Sequence, residues 1–314
     1  MTSMTTINVL FFGSTTDSVI VLNTLYNLHT SPLGLSVVAV VTQPPRPVGR
    51  KQAMTPTPVE IWAKDHNVTT LSFPTDPKNP TAYQNEQTVM DTLAPLKADL
   101  LVSASYGQKI PIQTIREAAY GGLNVHPSVL PRWRGADPVP WAILSGDNQT
   151  GVTIVTLSEQ FDGGKIIAQK KIAITGEDET DTLRAKLFTM GADLLAESLP
   201  DYLSGKNKGA PQNNELSSYA RRLRRDDGFE PWESIEKALS DTVEAERIDR
   251  KFRAFTPWPG IWTTMTGKRL KILNVSIVND RLSIHEVQLE GKKPLPWEQF
   301  NKNYHVVTSL LTET

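Results

Sequence analysis

An amide, an imidazole and a carboxylate stand where two separate stretches of the chain could bring them to one site. Asn124 and His126 are two residues apart, and Asp162 opens the turn-like sequence Asp162-Gly163-Gly164. An amide donates hydrogen bonds to an oxyanion, an imidazole exchanges protons near neutral pH, and a carboxylate orients or charges the imidazole. This combination suits acyl transfer. Because no Ser or Cys nucleophile stands among the three, it favours direct transfer to an acceptor.

Each of these residues also has an ordinary structural interpretation. An Asn near a strand end is a common turn former, a single His often satisfies a structural contact, and Asp-Gly-Gly alone is a usual turn. The functional interpretation therefore depends on Asn124, His126 and Asp162 lying together. The other histidines have no comparable setting, and we interpret them as surface or packing residues: His29, His66, His285 and His305.

The first half of the chain alternates apolar runs with helical segments. Strands are predicted at 7–12, 35–41, 99–104, 123–125, 152–157 and 165–174, with a helix at 19–28. Thr57 as N-cap, a proline at the first helical position and Glu60 predict the start of another helix. This order favours an α/β fold with a doubly wound, mostly parallel sheet and a ligand site beyond the carboxyl ends of its strands. Asn124 and His126 leave such a strand end.

Composition excludes several classes of protein and site. Lys and Arg total 33 against 34 for Asp and Glu, so any basic surface must be local. The absence of Cys excludes disulfides, thiolate nucleophiles and Cys-based metal sites. No apolar run reaches the ~20 residues of a membrane span, and the N-terminus lacks a signal-peptide pattern. We expect a soluble cytoplasmic protein with no membrane partner, and no metal, because no histidine pair or carboxylate cluster has ligand spacing.

The length of 314 residues, 39% of them hydrophobic, predicts two domains. A long helical segment at 180–203 is followed by 204–214, which lacks periodicity and is typical of a linker. Beyond it, the sequence predicts a helix at 241–255 and β segments at 261–266, 270–278 and 282–289. We predict a catalytic domain over 1–203, a linker over 204–220 and a small β-barrel-like domain over 221–314.

Three motifs together resemble the methionyl-tRNA formyltransferase family, and the likeness extends along most of the chain. Residues 122–135 resemble the catalytic strand and folate loop of the wider formyltransferase superfamily. Residues 42–50, continuing to 54–59, resemble the loop that this branch inserts against tRNA. Phe255-Thr256-Pro257-Trp258-Pro259 resembles a recurrent motif of its C-terminal domain. The first motif indicates the superfamily, and the other two indicate the branch.

The resemblance implies a Rossmann-like formyltransferase domain with an OB-like C-terminal domain that is shorter than usual. It implies transfer of the formyl group of 10-formyltetrahydrofolate to the α-amino group of methionine on initiator tRNA. Asn124 would then donate to the oxyanion, His126 would stabilise the same oxygen or move a proton, and Asp162 would set the charge of His126 or position a water. The implied folate-binding residues are Tyr106, Gly107, Ile110, Ser128, Val129, Leu130 and Pro131.

The resemblance also implies tRNA contacts. The loop 43–58 carries five prolines, two arginines and one lysine, so it is stiff and locally basic, although it is also compatible with a solvated surface loop. The basic cluster 221–225 could equally be a salt-bridged helix end. The predicted tRNA-binding residues are Arg46, Arg50, Lys51, Arg221, Arg222, Arg224, Arg225, Lys268 and Arg269. No protein partner is implied.

Three other functions remain open from the sequence. A sugar-nucleotide N-formyltransferase shares the Asn, His and Asp arrangement, but the proline-rich basic loop and the Pro-Trp-Pro motif disfavour it. A catalytically silent RNA-binding protein on this scaffold would not need the three residues intact. Hydrolysis of formyltetrahydrofolate would proceed with water alone.

Overall fold

The computed structural model describes residues 6–49 and 52–304 of the chain. These residues divide between two units, each built from three separate stretches of sequence. The described residues of 1–138, 149–173 and 184–220 form the first unit, and those of 139–148, 174–183 and 221–314 form the second. The domain boundaries expected from the sequence stay predictions.

A seven-stranded sheet is the centre of the first unit. The strands of this unit are β1 (Ile7–Gly13), β2 (Leu35–Thr42), β3 (Arg46–Val48), β4 (Ala53–Thr55), β5 (Thr69–Ser72), β6 (Leu100–Ala104), β7 (Gly122–His126), β8 (Arg134–Gly135), β9 (Gln149–Thr156), β10 (Ile166–Ala173) and β11 (Tyr219–Ala220). The order across the sheet is β10-β9-β7-β6-β1-β2-β5. The strands from β5 to β7 pair in parallel, and β9 and β10 add an antiparallel edge. The predicted α/β fold with a mostly parallel sheet is confirmed.

Helices connect most of these strands. In chain order they are α1 (Thr16–Asn27), α2 (Pro58–Asp65), α3 (Glu86–Leu93), α4 (Ile112–Glu117), α5 (Pro138–Leu144) and α6 (Thr180–Leu203). The Thr57 side chain accepts a hydrogen bond from the Glu60 N–H at 3.1 Å, which confirms the predicted N-cap of α2. Within the described ranges, no helix combines the length and the apolar character that a membrane span requires.

Apolar side chains cover both faces of the central sheet. Val9 and Phe11 of β1 belong to a core cluster that also contains buried residues of α1, α2 and α6. Leu10 and Phe12 of the same strand belong to a second cluster with buried residues of α3 and α4. Because successive side chains of a strand point to opposite faces, the two clusters lie on opposite sides of the sheet. This burial on both faces explains why the strands are continuous apolar runs in the sequence.

The second unit contains a four-stranded antiparallel sheet. Besides most of α5 and the start of α6, its elements are α7 (Trp232–Ala238), α8 (Thr242–Phe255), β12 (Ile261–Met265), β13 (Lys268–Val278), β14 (Arg281–Leu289), β15 (Leu295–Pro296) and α9 (Trp297–Tyr304). The strand order is β12-β13-β14-β15. One core cluster joins Ile248 of α8 and Phe300 of α9 to Ile272 and Val287 of the sheet. The smaller C-terminal β fold expected from the sequence is confirmed.

A buried carboxylate, Glu230, forms an ionic cluster with two basic side chains of helix α8. The Glu230 carboxylate accepts hydrogen bonds from the Arg247 guanidinium and, at 2.6 Å, from Lys251 Nζ. The Glu230 side chain is only 5% exposed. Burial raises the pKa of Glu230, but the hydrogen bonds from Arg247 and Lys251 outweigh it and hold that pKa below its ordinary value. The carboxylate therefore stays charged at neutral pH.

Candidate active site

Strand β7 positions the first two of the three predicted catalytic residues. Leu123 and Val125 of this strand are buried in the core. Asn124 and His126 alternate with them, so both side chains leave the other face of the strand. Strand β7 lies between β6 and β9 in the sheet, with Asn124 opposite Val155 of β9. The sheet therefore fixes the spacing between the amide and the imidazole.

Asp162 reaches the same place from the turn after β9. Its backbone has φ of 54°, in the left-handed region. Its Oδ1 accepts a hydrogen bond from Asn124 Nδ2 at 3.1 Å and lies 3.4 Å from His126 Nδ1. Its Oδ2 accepts a hydrogen bond from the Gly135 N–H at 2.8 Å. The structure thus brings Asn124, His126 and Asp162 into one contact group.

The second nitrogen of His126 determines how the ring is protonated. His126 Nε2 lies 2.8 Å from the backbone carbonyl oxygen of Trp133. A carbonyl oxygen only accepts hydrogen bonds, so Nε2 carries a proton. The Asp162 oxygen beside Nδ1 is an acceptor for a second ring proton. Nδ1 is therefore the ring nitrogen that faces the carboxylate.

The group has the parts that acyl transfer requires. An amide nitrogen carries two hydrogens, so Asn124 can donate one to Asp162 and the other to the oxygen of a reacting carbonyl. The His126 and Asp162 side chains are 4% and 9% exposed, and their charges are therefore weakly screened by water. Among the described residues, no group of three His, Asp or Glu side chains is arranged to hold a metal ion.

The predicted folate-binding residues fall in two segments beside the catalytic strand. Ser128 is fully buried, and its Oγ donates to the Arg132 carbonyl oxygen at 2.7 Å. The Leu130 N–H donates to Thr153 Oγ1 at 3.2 Å, while Val129 and Pro131 are partly exposed. These contacts fix the path of the loop 128–131 immediately after the strand that carries His126.

The second segment follows β6. Tyr106 and Ile110 are buried, and Gly107 is exposed with φ of 84°, a conformation that favours glycine. The hydroxyl groups of Tyr106 and Tyr83 lie 2.9 Å apart. Burial raises the pKa of both tyrosines, so both hydroxyls remain protonated at neutral pH.

Sequence reasoning missed Gln108 in this segment. Its side chain is only 3% exposed, and neither its amide oxygen nor its amide nitrogen has a hydrogen-bond partner among the described residues. Leaving such a buried polar group unpaired costs about 1–3 kcal/mol. A Gln between a glycine and a lysine is typical of an exposed loop, so the sequence carries no signal for this burial.

The loop predicted to contact tRNA forms an antiparallel hairpin of β3 and β4. All three residues of each strand are exposed, including Arg46. Arg50 and Lys51, two of the predicted tRNA-binding residues, lie outside the described residues. The base of the hairpin is anchored because Gln43 donates from its backbone N–H to Ser14 Oγ and from Nε2 to the Tyr106 carbonyl oxygen, both at 3.0 Å.

The predicted basic residues of the second unit differ in their surroundings. Arg221 donates two hydrogen bonds to the Asp227 carboxylate, at 2.6 and 2.8 Å, and this contact lowers the pKa of Asp227. The Arg269 guanidinium lies 4.3 Å from the centre of the Trp262 ring. The remaining members of the predicted set are exposed: Arg222, Arg224, Arg225 and Lys268.

Three of the other histidines have local contacts, and His305 lies outside the described residues. His29 Nδ1 lies 2.9 Å from the Tyr26 carbonyl oxygen, and the His66 ring stacks on Trp62 with centres 4.0 Å apart. His285 Nε2 lies 2.7 Å from Ser276 Oγ.

Comparison with known families identifies the chain. A family model described as formyl transferase matches residues 7–199, and one described as the formyl transferase C-terminal domain matches residues 238–282. A methionyl-tRNA formyltransferase of Listeria monocytogenes is 39% identical over 268 residues, which cover 84% of this chain and 77% of that relative. The chain belongs to the methionyl-tRNA formyltransferase family. A family member from Geotalea daltonii is 34% identical over 294 residues, covering 87% of this chain and 89% of its own length.

Solved structures agree on the fold. An N-formyltransferase from Helicobacter canadensis, in complex with folinic acid and dTDP-3-aminofucose, matches with a TM-score of 0.61, covering 87% of this chain and 88% of that chain. HypX from Aquifex aeolicus, in complex with tetrahydrofolic acid, matches with a TM-score of 0.58, covering 96% of this chain and 48% of that chain. Sequence identities of 18% and 15% limit these matches to the fold. They place this family member in a formyltransferase architecture.

Proposed function

We propose that this family member transfers the formyl group of 10-formyltetrahydrofolate to the α-amino group of methionine esterified to initiator tRNA. The observation that carries the proposal is the contact group of Asn124, His126 and Asp162 in a chain with 34–39% identity to methionyl-tRNA formyltransferases. The family supplies the reaction, and the contact group supplies side chains suited to it.

The reaction forms one bond, breaks one bond and moves one proton. The α-amino nitrogen bonds to the formyl carbon, the bond from that carbon to N10 of the folate breaks, and a proton passes from the amine to N10. Asn124 Nδ2 donates to the formyl oxygen as negative charge develops on it. Because the amide is already held by Asp162 at 3.1 Å, it needs little reorganisation when that charge appears.

His126 and Asp162 move the proton. Near neutral pH part of the α-amine is unprotonated, and this neutral form attacks the formyl carbon. Its nitrogen becomes positively charged as the new bond forms and must then lose a proton. The carboxylate of Asp162 beside His126 Nδ1 accepts this proton, directly or through a water, and the pair returns it to the leaving nitrogen. The Gly135 N–H holds the second carboxylate oxygen at 2.8 Å, so the first oxygen stays directed towards Asn124 and His126.

The residues beside the site fit a folate. The buried Gln108 amide is unpaired among the described residues, and a pterin ring offers neighbouring donors and acceptors to a carboxamide, which has one of each. Tyr106, Ile110 and Leu130 would provide apolar surface, and Gly107 allows a close approach of backbone to ring. Bound folate supplies the formyl group and the N10 leaving group.

Initiator tRNA is the proposed partner. The β3–β4 hairpin exposes both of its strands and carries Arg46, and its anchoring through Gln43 gives it a fixed base. Basic side chains on a stiff projection suit contact with phosphates and unpaired bases. The exposed arginines of 222–225 and Lys268 would add electrostatic attraction. Arg221, which is hydrogen-bonded to Asp227, would stabilise the fold rather than contact the tRNA.

Formyl transfer from labelled 10-formyltetrahydrofolate tests the function. The acceptors are charged initiator methionyl-tRNA, charged elongator methionyl-tRNA and an amino sugar nucleotide. We expect label on initiator methionyl-tRNA, little label on the elongator, and none on the sugar, with loss of transfer in His126→Ala. Labelling of the sugar without labelling of tRNA would replace the proposal by a sugar-nucleotide N-formyltransferase. Tight tRNA binding without transfer would support a silent RNA-binding protein.

A further inference from the structure

The segment 204–220, which the sequence predicts as a linker, runs along the loops that carry the active site. Ala210 and Ile166 exchange two backbone hydrogen bonds of 2.8 Å. Further along, β11 pairs in parallel with β8, whose Gly135 donates to Asp162. The Tyr219 ring lies so close to Gly135 that a β-carbon there would be 2.7 Å from it. The segment is therefore attached on both sides of Asp162.

Gln212, in the middle of this segment, contacts the Asp162 turn directly. Its Nε2 donates to the backbone carbonyl oxygens of Asp162 at 2.7 Å and Gly164 at 2.8 Å. One amide group thus bridges both ends of a three-residue turn. Asp162 has a left-handed backbone, which is unfavourable for a residue with a side chain and must be held by its surroundings. Gln212 provides two hydrogen bonds that hold it.

Arg134 fixes the orientation of the Gln212 amide. The Arg134 guanidinium donates to Gln212 Oε1 from Nε at 3.0 Å and from Nη2 at 2.7 Å. A guanidinium has only donors, so the oxygen of the amide must face Arg134 and the NH2 group must face the two carbonyls. Arg134 is only 5% exposed, and it immediately precedes Gly135 in the chain. Arg134 is therefore connected to both groups that hold Asp162. It binds Gln212, which contacts the backbone of the turn, and it precedes Gly135, whose N–H binds Oδ2.

We propose that Gln212 is a positioning residue for the reaction, acting by holding the Asp162 carboxylate against Asn124 and His126. The inference rests on the proposed function. Gln212 contacts the backbone of the Asp162 turn, so its effect reaches the reacting atoms only through Asp162. The distance that Gln212 would maintain is the 3.4 Å between Asp162 Oδ1 and His126 Nδ1. A displacement of a reacting group by about 1 Å can lower the rate about 100-fold.

Two substitutions separate the two sides of the Gln212 amide. Gln212→Met removes the contacts to Arg134 and to the turn. Gln212→Glu keeps acceptors for Arg134 and removes the donors to the carbonyls of Asp162 and Gly164. We expect both to lower kcat about 10- to 100-fold, with the KM of each substrate changed less than about threefold. Asn213→Ala is the matched control, because Asn213 is exposed and caps a local turn by accepting from the Glu215 N–H. We expect it to leave kcat unchanged.

A double-mutant cycle decides between positioning and general structural support. In an Asp162→Asn background, Gln212→Met should change the remaining rate less than about twofold, because its effect passes through the carboxylate. The proposal would be overturned if Gln212→Met lowered the rate by the same factor in the wild-type and Asp162→Asn backgrounds. A wild-type kcat in Gln212→Glu would also overturn it. Thermal unfolding of each variant identifies loss of folding, and Gln212→Glu, which keeps the Arg134 contact, remains informative if Gln212→Met does not fold.

The proposed function and this inference fail separately. Absence of formyl transfer by the wild-type protein would refute the function. The inference then has a second measurement, the NMR chemical shifts of the His126 ring nitrogens at one fixed pH without substrates. We expect the uncharged variant Gln212→Met to change the shift of Nδ1, which lies 3.4 Å from Asp162 Oδ1, and Asn213→Ala to leave it unchanged. An identical Nδ1 shift in wild type and Gln212→Met would refute the positioning role whatever the acceptor is.

Discussion

Replacing Asp162 by Asn removes the charge of the site with almost no change in shape. The carboxylate now accepts from Gly135 at 2.8 Å and from Asn124 at 3.1 Å, and it lies 3.4 Å from His126 Nδ1. An amide has a single oxygen. If that oxygen keeps the Gly135 contact, the new NH2 group faces the Asn124 amide, where a donor meets a donor. His126 Nδ1 loses the charged oxygen beside it.

The expected loss follows from these contacts. Two interactions with a charged oxygen disappear, and hydrogen bonds to charged groups contribute about 1.5–3 kcal/mol each. A loss of about 3–6 kcal/mol in the transition state corresponds to a fall in kcat of about 100- to 30,000-fold at 1.36 kcal/mol per tenfold. The KM for either substrate should change little, because the lost contacts serve the developing charges rather than ground-state binding.

Single-turnover formylation of methionyl-tRNA measures this change directly. Asp201→Asn is the matched control, since Asp201 is 64% exposed and its contact with Lys206 is long, at 3.8 Å. We expect wild-type rates for the control. Asp162→Asn that folds and turns over within about threefold of wild type would refute the proton-transfer role of this carboxylate, because such a ratio corresponds to only about 0.7 kcal/mol.

Three further substitutions test other features of the structure. Gln108→Leu should raise the free energy of unfolding by about 1–3 kcal/mol, because a buried unpaired amide is removed. It should also raise the KM for the folate about tenfold. Thermal melts measure the first effect and steady-state kinetics the second, and an unchanged KM would show that this amide does not bind the folate. Glu230→Gln should lower the free energy of unfolding at pH 7 by about 2–3 kcal/mol. The pKa of Glu230 is lowered in the folded protein, so its charged contacts contribute to the free energy of unfolding above the ordinary pKa of 4.5. This contribution is lost as the pH falls through the lower folded pKa. In urea titrations the free energy of unfolding should therefore fall less on acidification for the variant than for wild type. Gly151→Ala should destabilise the protein by about 2 kcal/mol or more, since its β-carbon would lie 2.1 Å from a backbone oxygen of β10. The control Gly176→Ala should not, because no atom lies within 4 Å of its β-carbon. Equal melting temperatures of the two variants would contradict the packing around Gly151.

The elements with strong local patterns could be predicted from the sequence. The apolar runs of β1, β2 and β6 and the N-cap Thr57 are local signals, and the structure has these elements within one or two residues of the predicted bounds. The proximity of Asn124 and His126 also follows from local structure, since side chains at i and i+2 of a strand share a face. The contact with Asp162 could be expected only through the family resemblance, because 36 residues separate it from His126.

Features that depend on non-local contacts could not be predicted. The segment 204–220 has no periodicity because its main contacts use backbone groups and the single Gln212 amide, neither of which leaves a pattern in the sequence. Gln108 has the residue type of an exposed position, but its surroundings bury it. The hairpin of β3 and β4 was missed because its prolines favour loops, although Pro47 is tolerated in an exposed two-stranded pairing.

The interleaving of the two units limits how genes of this family can recombine. Residues 174–183 belong to the same unit as helix α8, and Thr180 Oγ1 donates to the Ala254 carbonyl oxygen at 2.6 Å. The Arg253 guanidinium likewise donates to the Asp178 carbonyl oxygen at 3.2 Å. A crossover placed within 204–220 would combine residues 174–183 of one parent with helix α8 of the other. We expect a chimera that takes both partners of these hydrogen bonds from one parent to be more stable than one that separates them.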